Sequence, residues 1–450
     1  MSGPGAQAPD ASRPADTVRR ILDPGSRPHP YALYDQVRAA EPVWMDGAHP
    51  VVVFASHAAC ASVLRDPRAS NDRRHALMYG RQGSGSGAGA EAGGDESAGG
   101  AVDAATPRAE LPSFLFADPP RHTVLRRLVA PDFTRDAARR LTGMIKDLVD
   151  DLIDDMAEQF ARGAALDAVG ALASPLPVTV ICHVLGIDTG ERGWYRTRSS
   201  LLGRAVDPYP AFVGAPAPGA AERERAEAEL TAFFTELAHA RRAEPKDDVM
   251  SRLLAARPDG RPLSDTEVVT TCRLLLNAGH ETTVNLIAGG LHVLLLRPET
   301  LAALREAPST AGQLVEELLR FEAPLQIVHR HAREDMEVLG TRIRRGTTMV
   351  LLLGGANRDA EVFSCPHHLR TERAEAGRHL SFGLGAHYCL GAPLGRLEAE
   401  LAFVRFAQRV VEPRLAVEEP PFRPHVVLRG PETVPVHAAR VLGRDLPWGR

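Results

Sequence analysis

One cysteine in a glycine-rich segment is the residue of this chain with the clearest capacity for chemistry. Cys389 lies in the segment 379–398, HLSFGLGAHYCLGAPLGRLE, directly before residues that predict a helix. Glycines at positions 383, 385 and 391 allow tight turns and a close approach of the backbone to a flat or bulky group. A thiolate at a helix N-terminus is stabilised by the partial positive charge and the free N–H groups there. The pattern therefore predicts either a nucleophile or a metal ligand.

A second candidate lies inside a long apolar segment. Ser264 and Glu267 form a capping-box pattern that predicts a helix start, and Pro298 predicts its end. Such a helix is about 45 Å long. Its centre, AGHETT at 278–283, is polar where the flanking residues are apolar. Because burying an acid and two hydroxyls costs several kcal/mol unless they are bonded, these groups either bond back to helix carbonyls or serve a bound ligand.

The cysteine segment is similar to a known family. Six of its positions resemble the haem-binding loop of the cytochrome P450 family in its soluble bacterial form: Phe382, Gly383, Gly385, His387, Cys389 and Gly391. The resemblance implies that Cys389 is the proximal ligand of haem iron, with a thiolate that pushes electron density towards the oxygen side. It extends from about residue 30 to the end of the chain, because further motifs of the family follow in the same order.

The polar centre of the long helix fits this resemblance. Glu281 and Thr282 match the acid–alcohol pair of the family's central helix, in which the hydroxyl holds a water or dioxygen and the acid relays protons from solvent. The small residues Ala278 and Gly279 would let the planar cofactor approach the helix. We expect His280, one residue away from this face, to be a packing or pocket-lining residue and not a second iron ligand.

Other residues match the cradle of the haem propionates, which need cations or hydrogen-bond donors. His122 and Arg126 follow Asp-Pro-Pro and share one helical face at i, i+4. The resemblance implies that this pair, together with Arg330 and His387, binds the propionates. His379 is a further candidate.

The resemblance also implies a structural pair, Glu317 and Arg320, at i, i+3 on one helix. In the family this pair acts with the cysteine loop and with a segment that matches residues 356–359. The chain departs from the family pattern at three places, where Ala360 replaces a usual Pro, Leu-Arg at 369–370 replaces Phe-Asp, and Gly395 replaces a usual Ala. None of the three removes a chemical group, so they bear on packing and partner docking.

Composition narrows the class of protein. The net charge of −4 argues against a nucleic-acid binder. The first twenty residues lack an apolar core typical of signal peptides, and no apolar run is long enough to span a membrane. The remaining cysteines form no disulfide or metal pattern, and they lie at positions 60, 182, 272 and 365. We therefore expect a cytoplasmic monomer that binds neither nucleic acid nor membrane.

The organisation predicted from these features is a mainly α fold with small β-sheets (α+β). By resemblance it is a cytochrome P450 fold, with haem b (iron protoporphyrin IX) buried between the long central helix and the helix after Cys389. We expect a flexible N-terminal tail over residues 1–25 and a single domain over 26–450. A Gly/Ala/Ser-rich stretch at 81–106 predicts a mobile loop, and residues 194–219 resemble the family's second lid.

The function implied is that of a haem-thiolate monooxygenase. Such an enzyme inserts one oxygen atom of O₂ into a small apolar organic substrate, by hydroxylation or epoxidation, and here we expect it to tailor a bacterial secondary metabolite. Ferredoxin and ferredoxin reductase would supply electrons at the Cys389 face, where Arg396 could meet an acidic partner. A peroxide-dependent peroxygenase and a non-catalytic helper protein of this fold are the alternatives. The presence of Glu281, Thr282 and Cys389 argues against both.

Overall fold

The computed structural model describes residues 13–45, 49–77, 113–160, 165–188, 190, 192–203 and 219–448. The predicted mobile loop at 81–106 and most of the predicted lid at 194–219 lie outside these residues. The α-helices are α1 (Pro14–Leu22), α2 (Tyr31–Ala40), α3 (His57–Arg65), α4 (Arg121–Val129), α5 (Arg135–Arg140), α6 (Thr142–Phe160), α7 (Pro175–Leu185), α8 (Arg192–Gly203), α9 (Ala220–Ala243), α10 (Val249–Ala255), α11 (Asp265–Leu295), α12 (Pro298–Glu306), α13 (Ala311–Phe321), α14 (Leu353–Ala356) and α15 (Ala392–Arg409).

The strands are short. They are β1 (Val43–Met45), β2 (Val51–Phe54), β3 (Ala69–Ser70), β4 (Leu166–Asp167), β5 (Ile327–Ala332), β6 (Met336–Val338), β7 (Thr341–Ile343), β8 (Thr348–Leu352), β9 (Val410–Val411), β10 (Arg414–Leu415), β11 (Pro435–His437) and β12 (Arg440–Val441). The largest sheet has the order β1-β2-β8-β5-β3, and the other strands form sheets of three, two and two strands. The prediction of a helix-rich fold with small sheets is confirmed.

The long central helix α11 is confirmed as a core element. The Ser264 side chain accepts a hydrogen bond from the Glu267 amide, and the Glu267 carboxylate accepts one from the Ser264 amide in return, so the capping box is complete. Glycines let neighbouring helices approach α11 closely. A Cβ at Gly290 would lie 2.2 Å from Cζ of Phe403 on α15, and one at Gly279 would lie 2.9 Å from Ile181 on α7. The helix is therefore packed directly between the elements that carry the candidate site.

The sheet places one of the candidate cations. Strand β5 runs antiparallel to β8, with Arg330 opposite Met349 and Ile327 opposite Leu352. Strand β2 is parallel to β8 on its other side. Since both neighbours of β8 are hydrogen-bonded to it, the register of β5 is fixed, and with it the position of Arg330.

The N-terminal prediction needs correction. A flexible tail was expected over residues 1–25, but residues 14–22 form α1, and Val18, Ile21 and Leu22 are buried. These side chains pack in one cluster with Leu33 and Val37 of α2. The prediction is wrong for residues 13–25, because an apolar face in this short segment finds a partner helix. Residues 1–12 lie outside the described part.

Strand β2 covers Val51–Phe54, and near the C-terminus β11 covers Pro435–His437 and pairs with β10 and β4. Among the described helices, no single one is long and apolar enough to cross a membrane, although α11 and α12, bent by 106° at the break between them, pass that test of length and composition as a pair.

Candidate active site

The cysteine segment and the central helix line the same cavity, whose volume is about 320 Å³. Cys389 and Gly391 contribute to it from the glycine-rich segment. Ala278, Gly279 and Thr282 contribute from the middle of α11. The structure therefore brings the predicted metal ligand and the predicted oxygen-side residues to one space.

The glycines of the cysteine segment have two different uses. Gly383 and Gly385 have φ values of +68° and +69°, in the left-handed region that favours glycine. A Cβ at Gly385 would lie 2.5 Å from the carbonyl oxygen of Leu64, so that position also needs the close approach. Gly391 has a φ of −80°, and no protein atom described here lies within 4 Å of a Cβ added there. Because Gly391 lines the cavity, its missing side chain leaves room for a ligand.

The backbone fixes Cys389, and burial determines its protonation. Its amide donates a hydrogen bond to the carbonyl oxygen of Phe382 at 2.8 Å. Burial raises the pKa of the Cys389 thiol, although the Gly391 N–H and the Arg126 guanidinium act in the opposite direction. Because burial outweighs them, a stable thiolate needs a further positive charge in the cavity. A bound metal ion would supply it, which favours the ligand over the free nucleophile.

All four predicted propionate-binding residues line the cavity: His122, Arg126, Arg330 and His387. The rings of His122 and His387 are 4.2 Å apart between centroids. His122 is buried, yet neither of its ring nitrogens has a hydrogen-bond partner within the described part of the chain. Burial lowers the pKa of both histidines, that of His387 to about 3, so each ring is neutral and can donate one hydrogen bond.

Arg330 is a buried cation without an acidic partner. Its Nη1 donates to Oδ1 of Asn71 at 3.0 Å and to the carbonyl oxygen of His329 at 2.8 Å, and no carboxylate of the described residues forms an ion pair with it. Burial lowers its pKa to about 10, which leaves it charged at neutral pH. A buried unpaired charge is costly. Arg330 therefore requires an anion that the protein itself does not provide.

The two oxygen-side residues are placed differently. Thr282 lines the cavity, and its hydroxyl donates to the carbonyl oxygen of Ala278 at 2.9 Å, the bond back to the helix that was one of the two possibilities for this segment. Glu281 is buried but absent from the cavity wall. Its carboxylate pairs with Arg423, and its Cγ lies 3.0 Å from the position of a Cβ at Gly203 on α8. The relay role of Glu281 therefore stays a prediction.

His280 is fully buried beside Glu281, with 3.8 Å between Nδ1 of His280 and Oε1 of Glu281. It does not line the cavity. Burial lowers its pKa to about 4, so the ring is neutral at physiological pH. This placement agrees with a packing residue.

Glu317 and Arg320 form a buried bidentate pair, with both N–O distances at 2.7 Å. Arg320 also donates to the carbonyl oxygens of Asn357, Pro366 and His368. Arg373, which the sequence did not identify as a member, donates from Nε to both oxygens of Glu317 at 3.0 and 3.1 Å. The Glu317–Arg320 pair thus ties α13 to two later segments of the chain.

Asn357 connects this network to the cysteine segment. Its amide nitrogen donates to Oγ of Ser381 at 2.8 Å, and its side-chain oxygen accepts from the Leu380 amide at 2.7 Å. The Ser381 hydroxyl donates in turn to the carbonyl oxygen of Leu319 at 2.6 Å. The start of the glycine-rich segment is therefore held in place by the Asn357 side chain after α14 and by the Leu319 carbonyl on α13.

Two further predictions concern the face of the cysteine segment. His379 does not line the cavity, and its Nε2 lies 3.4 Å from Oε2 of Glu316. Arg396 pairs with the same carboxylate, with Nη2 3.0 Å from Oε2, and lies over the ring of Phe382. The positive charge of Arg396 is thus already matched within the protein, which weakens its predicted role in docking an acidic partner.

Several cavity or site residues were not assigned a role from the sequence. Asn71 orients Arg330 from a segment 259 positions away. Arg423 comes from a Pro-rich stretch near the C-terminus. Thr283 and Glu398 line the cavity as well. Two features of the sequence could have indicated Thr283 and Glu398. Thr283 directly follows Thr282, and Glu398 is an acid on an inward face of the helix after Cys389.

The comparisons with known proteins agree with this geometry. The family model described as cytochrome P450 matches residues 107–434. Among curated proteins, the cytochrome P450 monooxygenase PikC of Streptomyces venezuelae is 33% identical over 430 residues, which cover 92% of each chain. The ligand-free crystal structure of CYP164A2 of Mycobacterium smegmatis is 36% identical with a TM-score of 0.83, covering 94% of this chain and 99% of that chain. The enzyme CxnD, described as forming a C–S bond in chuangxinmycin biosynthesis, is 31% identical with a TM-score of 0.78, covering 92% of this chain and 96% of that chain.

The chain belongs to the cytochrome P450 family. It is an oxidoreductase of the monooxygenase class, and the cofactor of the family is haem held through a cysteine thiolate. The cavity fits this group. Cys389 is the only cysteine of the described residues that lines it, and Arg330 and His122 are buried groups that lack the acceptor a propionate would provide.

Proposed function

We propose that this enzyme oxidises a small apolar organic substrate according to RH + O₂ + 2e⁻ + 2H⁺ → ROH + H₂O, by hydroxylation or by the related epoxidation of a double bond. The observation that carries the proposal is that one cavity holds the Cys389 thiol, Thr282 and Arg330, a buried cation that forms no ion pair with a carboxylate of the described residues. When bound, haem supplies the activation of oxygen. The residues of the chain position the cofactor, orient the substrate and move protons.

The proposed roles follow the placement of each side chain. Cys389 is the iron ligand, and Arg126, Arg330, His122 and His387 bind the propionates, because charged and buried donors at one rim need carboxylates. Ala278 and Gly279 leave room for the flat cofactor beside α11.

The proton-handling roles need two local movements. Thr282 can orient a water or dioxygen once its hydroxyl turns away from the Ala278 carbonyl. Glu281 can relay a proton only after its ion pair with Arg423 opens, because the paired carboxylate lies outside the cavity wall. Proton delivery is therefore proposed to depend on the strength of that ion pair.

The walls of the cavity favour an apolar substrate. Leu325, Ile327 and Val328 line it from the β5 region, Phe116 lines it from a turn before α4, and Val427 comes from the C-terminal part. We infer that the substrate is an intermediate of a bacterial secondary metabolite. The likeness to CxnD, described as acting in chuangxinmycin biosynthesis, supports this choice.

The electrons are proposed to come from a ferredoxin and its reductase, docked on the surface over Cys389. Tyr388 is 37% exposed there, and Arg126 donates a hydrogen bond to its carbonyl oxygen. Arg396 is paired with Glu316, so its contact with an acidic partner is proposed to require that ion pair to open.

The test is a carbon monoxide difference spectrum of the reduced, haem-loaded protein. Thiolate ligation gives a strongly red-shifted Soret band, and we expect the wild type to show it. Cys389→Ser should abolish the band, whereas Cys272→Ser, which replaces a buried thiol outside the cavity wall, should retain it. A wild-type protein that binds haem without this band would contradict the proposal.

A further inference from the structure

His329 of β5 borders the cavity, although it has no role in the reaction proposed above. The side chain is partly buried, and its Nε2 is a buried atom without a hydrogen-bond partner among the described residues. Buried polar groups are nearly always paired, because leaving one unpaired costs free energy. The ring nitrogen of His329 therefore indicates a partner that is not part of the protein.

The position of His329 on its strand separates it from the proposed cofactor contacts. Successive side chains of a strand point to opposite faces, so the ring of His329 lies on the face opposite to the Arg330 side chain. The ring of His331, two residues further on, is 5.2 Å from that of His329 between centroids, as expected for neighbours on one face. A propionate held by Arg330 would thus lie on the other face of the strand from the His329 ring.

The cavity reaches both faces of β5 because one edge of this strand is open. Strand β8 pairs with β5 along residues 327–331, whereas β3, on the other edge, pairs only with His331 and Ala332 in the part of the chain that the structure describes. The four consecutive residues 327–330 accordingly all line the cavity. The imidazole is therefore a polar point beside the apolar side chains of Ile327 and Val328.

The charges that act on the His329 ring are positive. Burial and, after it, the guanidinium groups of Arg73 and Arg330 lower its pKa to about 4, so the ring is neutral at physiological pH and can donate one hydrogen bond. Arg73 is not one of the proposed propionate ligands. It lies over the ring of Phe116, another residue of the cavity wall, with 4.5 Å between Cζ and the ring centroid. A positive potential beside a hydrogen-bond donor favours a negatively charged acceptor.

We propose that His329 is a specificity-determining residue that binds a carboxylate at one end of an otherwise apolar substrate. Nε2 donates a hydrogen bond to a carboxylate oxygen, and the apolar part of the substrate packs against Phe116, Leu325 and Val328. No bond is made or broken at His329, because the residue only orients the substrate. This assignment rests on the proposed function and narrows its substrate to an organic acid.

Isothermal titration calorimetry of the haem-loaded protein with two probes of equal chain length tests this role. Decanoate carries a carboxylate, and decan-1-ol carries a neutral hydroxyl in its place, so the wild type should bind decanoate more tightly. His329→Phe keeps a ring but loses the donor. It should bind decanoate about tenfold to a hundredfold more weakly, the range expected for a lost hydrogen bond to a charged group. Its affinity for decan-1-ol should stay unchanged.

Two further variants show whether the donor itself is responsible. His329→Gln retains an N–H donor and should recover part of the affinity for decanoate. His331→Phe is the matched control, because His331 lies on the same face of β5 but outside the cavity wall. This variant should keep the preference of the wild type for decanoate.

Decanoate that binds the wild type no more tightly than decan-1-ol would overturn the proposal, and so would an unchanged decanoate affinity in His329→Phe. Should His329→Phe fail to fold, the smaller side chain of His329→Leu serves the same comparison. The carbon monoxide difference spectrum of the same samples separates the two proposals. A red-shifted Soret band without a preference for decanoate contradicts only the role of His329, whereas a missing band contradicts the proposed function.

Discussion

Two buried acids in this protein have opposite surroundings. Glu317 accepts hydrogen bonds from Arg320, Arg373 and the Arg370 amide, and these contacts fix the segments around the cysteine loop. Glu398 has an oxygen with no partner in the described structure, and it borders the cavity. The difference teaches that polar groups satisfied within the protein maintain this fold, whereas a buried group without a protein partner indicates a ligand where it also borders the cavity.

The largest expected effect is a loss of stability when Glu317, the acid with satisfied hydrogen bonds, is replaced. Glu317→Gln should lower the free energy of unfolding by about 3–5 kcal/mol, because two buried arginines lose their negative partner. Chemical denaturation measures this, with Glu372→Gln on the exposed surface as the control. A loss no larger than that of the control would mean that the network is not structural.

A smaller effect is expected at the buried cation of the cavity rim. Arg330→Leu removes an unpaired charge, so the apoprotein should be as stable as the wild type or more so. Haem should dissociate about tenfold to a hundredfold faster, since a hydrogen bond to a charged group contributes about 1.5–3 kcal/mol. Transfer of haem to an acceptor globin measures the rate. The exposed Arg342→Leu is the control, and unchanged haem release in Arg330→Leu would separate Arg330 from the cofactor.

The contribution of Glu398 to protein stability should change with pH in the opposite sense to that of an ion-paired acid. Because the folded-state pKa of Glu398 is raised, its contribution to stability is full below the unfolded pKa of about 4.3 and declines as pH rises. Relative to Glu398→Gln, the wild type should lose up to about 1.4 kcal/mol per pH unit above that value. Melting temperatures of both proteins at pH 5, 6 and 7 measure the difference. A constant difference across these values would show that Glu398 is ionised.

The smallest effect in free energy is expected for Thr282, on the oxygen side of the cavity wall. Thr282→Ala should raise the share of electrons released as peroxide by up to about tenfold, equivalent to about 1.4 kcal/mol. The reason is that its hydroxyl is the one closest in sequence to the acid that supplies protons. Electron consumption, product and peroxide are measured together. If the ratio is unchanged, Thr282 has no part in proton delivery.

The sequence predicted the elements whose signals are local. The capping box at Ser264 and Glu267 located the start of α11, and the glycine-rich segment located Cys389, because both patterns depend on neighbours within a few residues. The cavity residues His122, Arg330 and His387 could be proposed only from the resemblance. Their shared place in one cavity wall became visible when distant segments were brought together.

The rest depended on contacts between distant residues. The pairing of Glu281 with Arg423 joins residues 142 positions apart, and that of Arg330 with Asn71 joins residues 259 apart. No periodicity encodes such pairs. The folding of residues 14–22 was missed for the same reason, since the apolar face of α1 has meaning only once α2 is present to cover it.

The register of β5 has a consequence for how this pocket can diversify. Arg330 lies on the strand whose preceding residues, Ile327 and Val328, line the substrate side, and the strand is paired throughout with β8. A slip of one residue would move Arg330 from its place opposite Met349 and separate it from Asn71. New substrate preferences can therefore arise at positions 327 and 328 through exchange of side chains, while insertions or deletions in this strand would be eliminated with the loss of the cofactor.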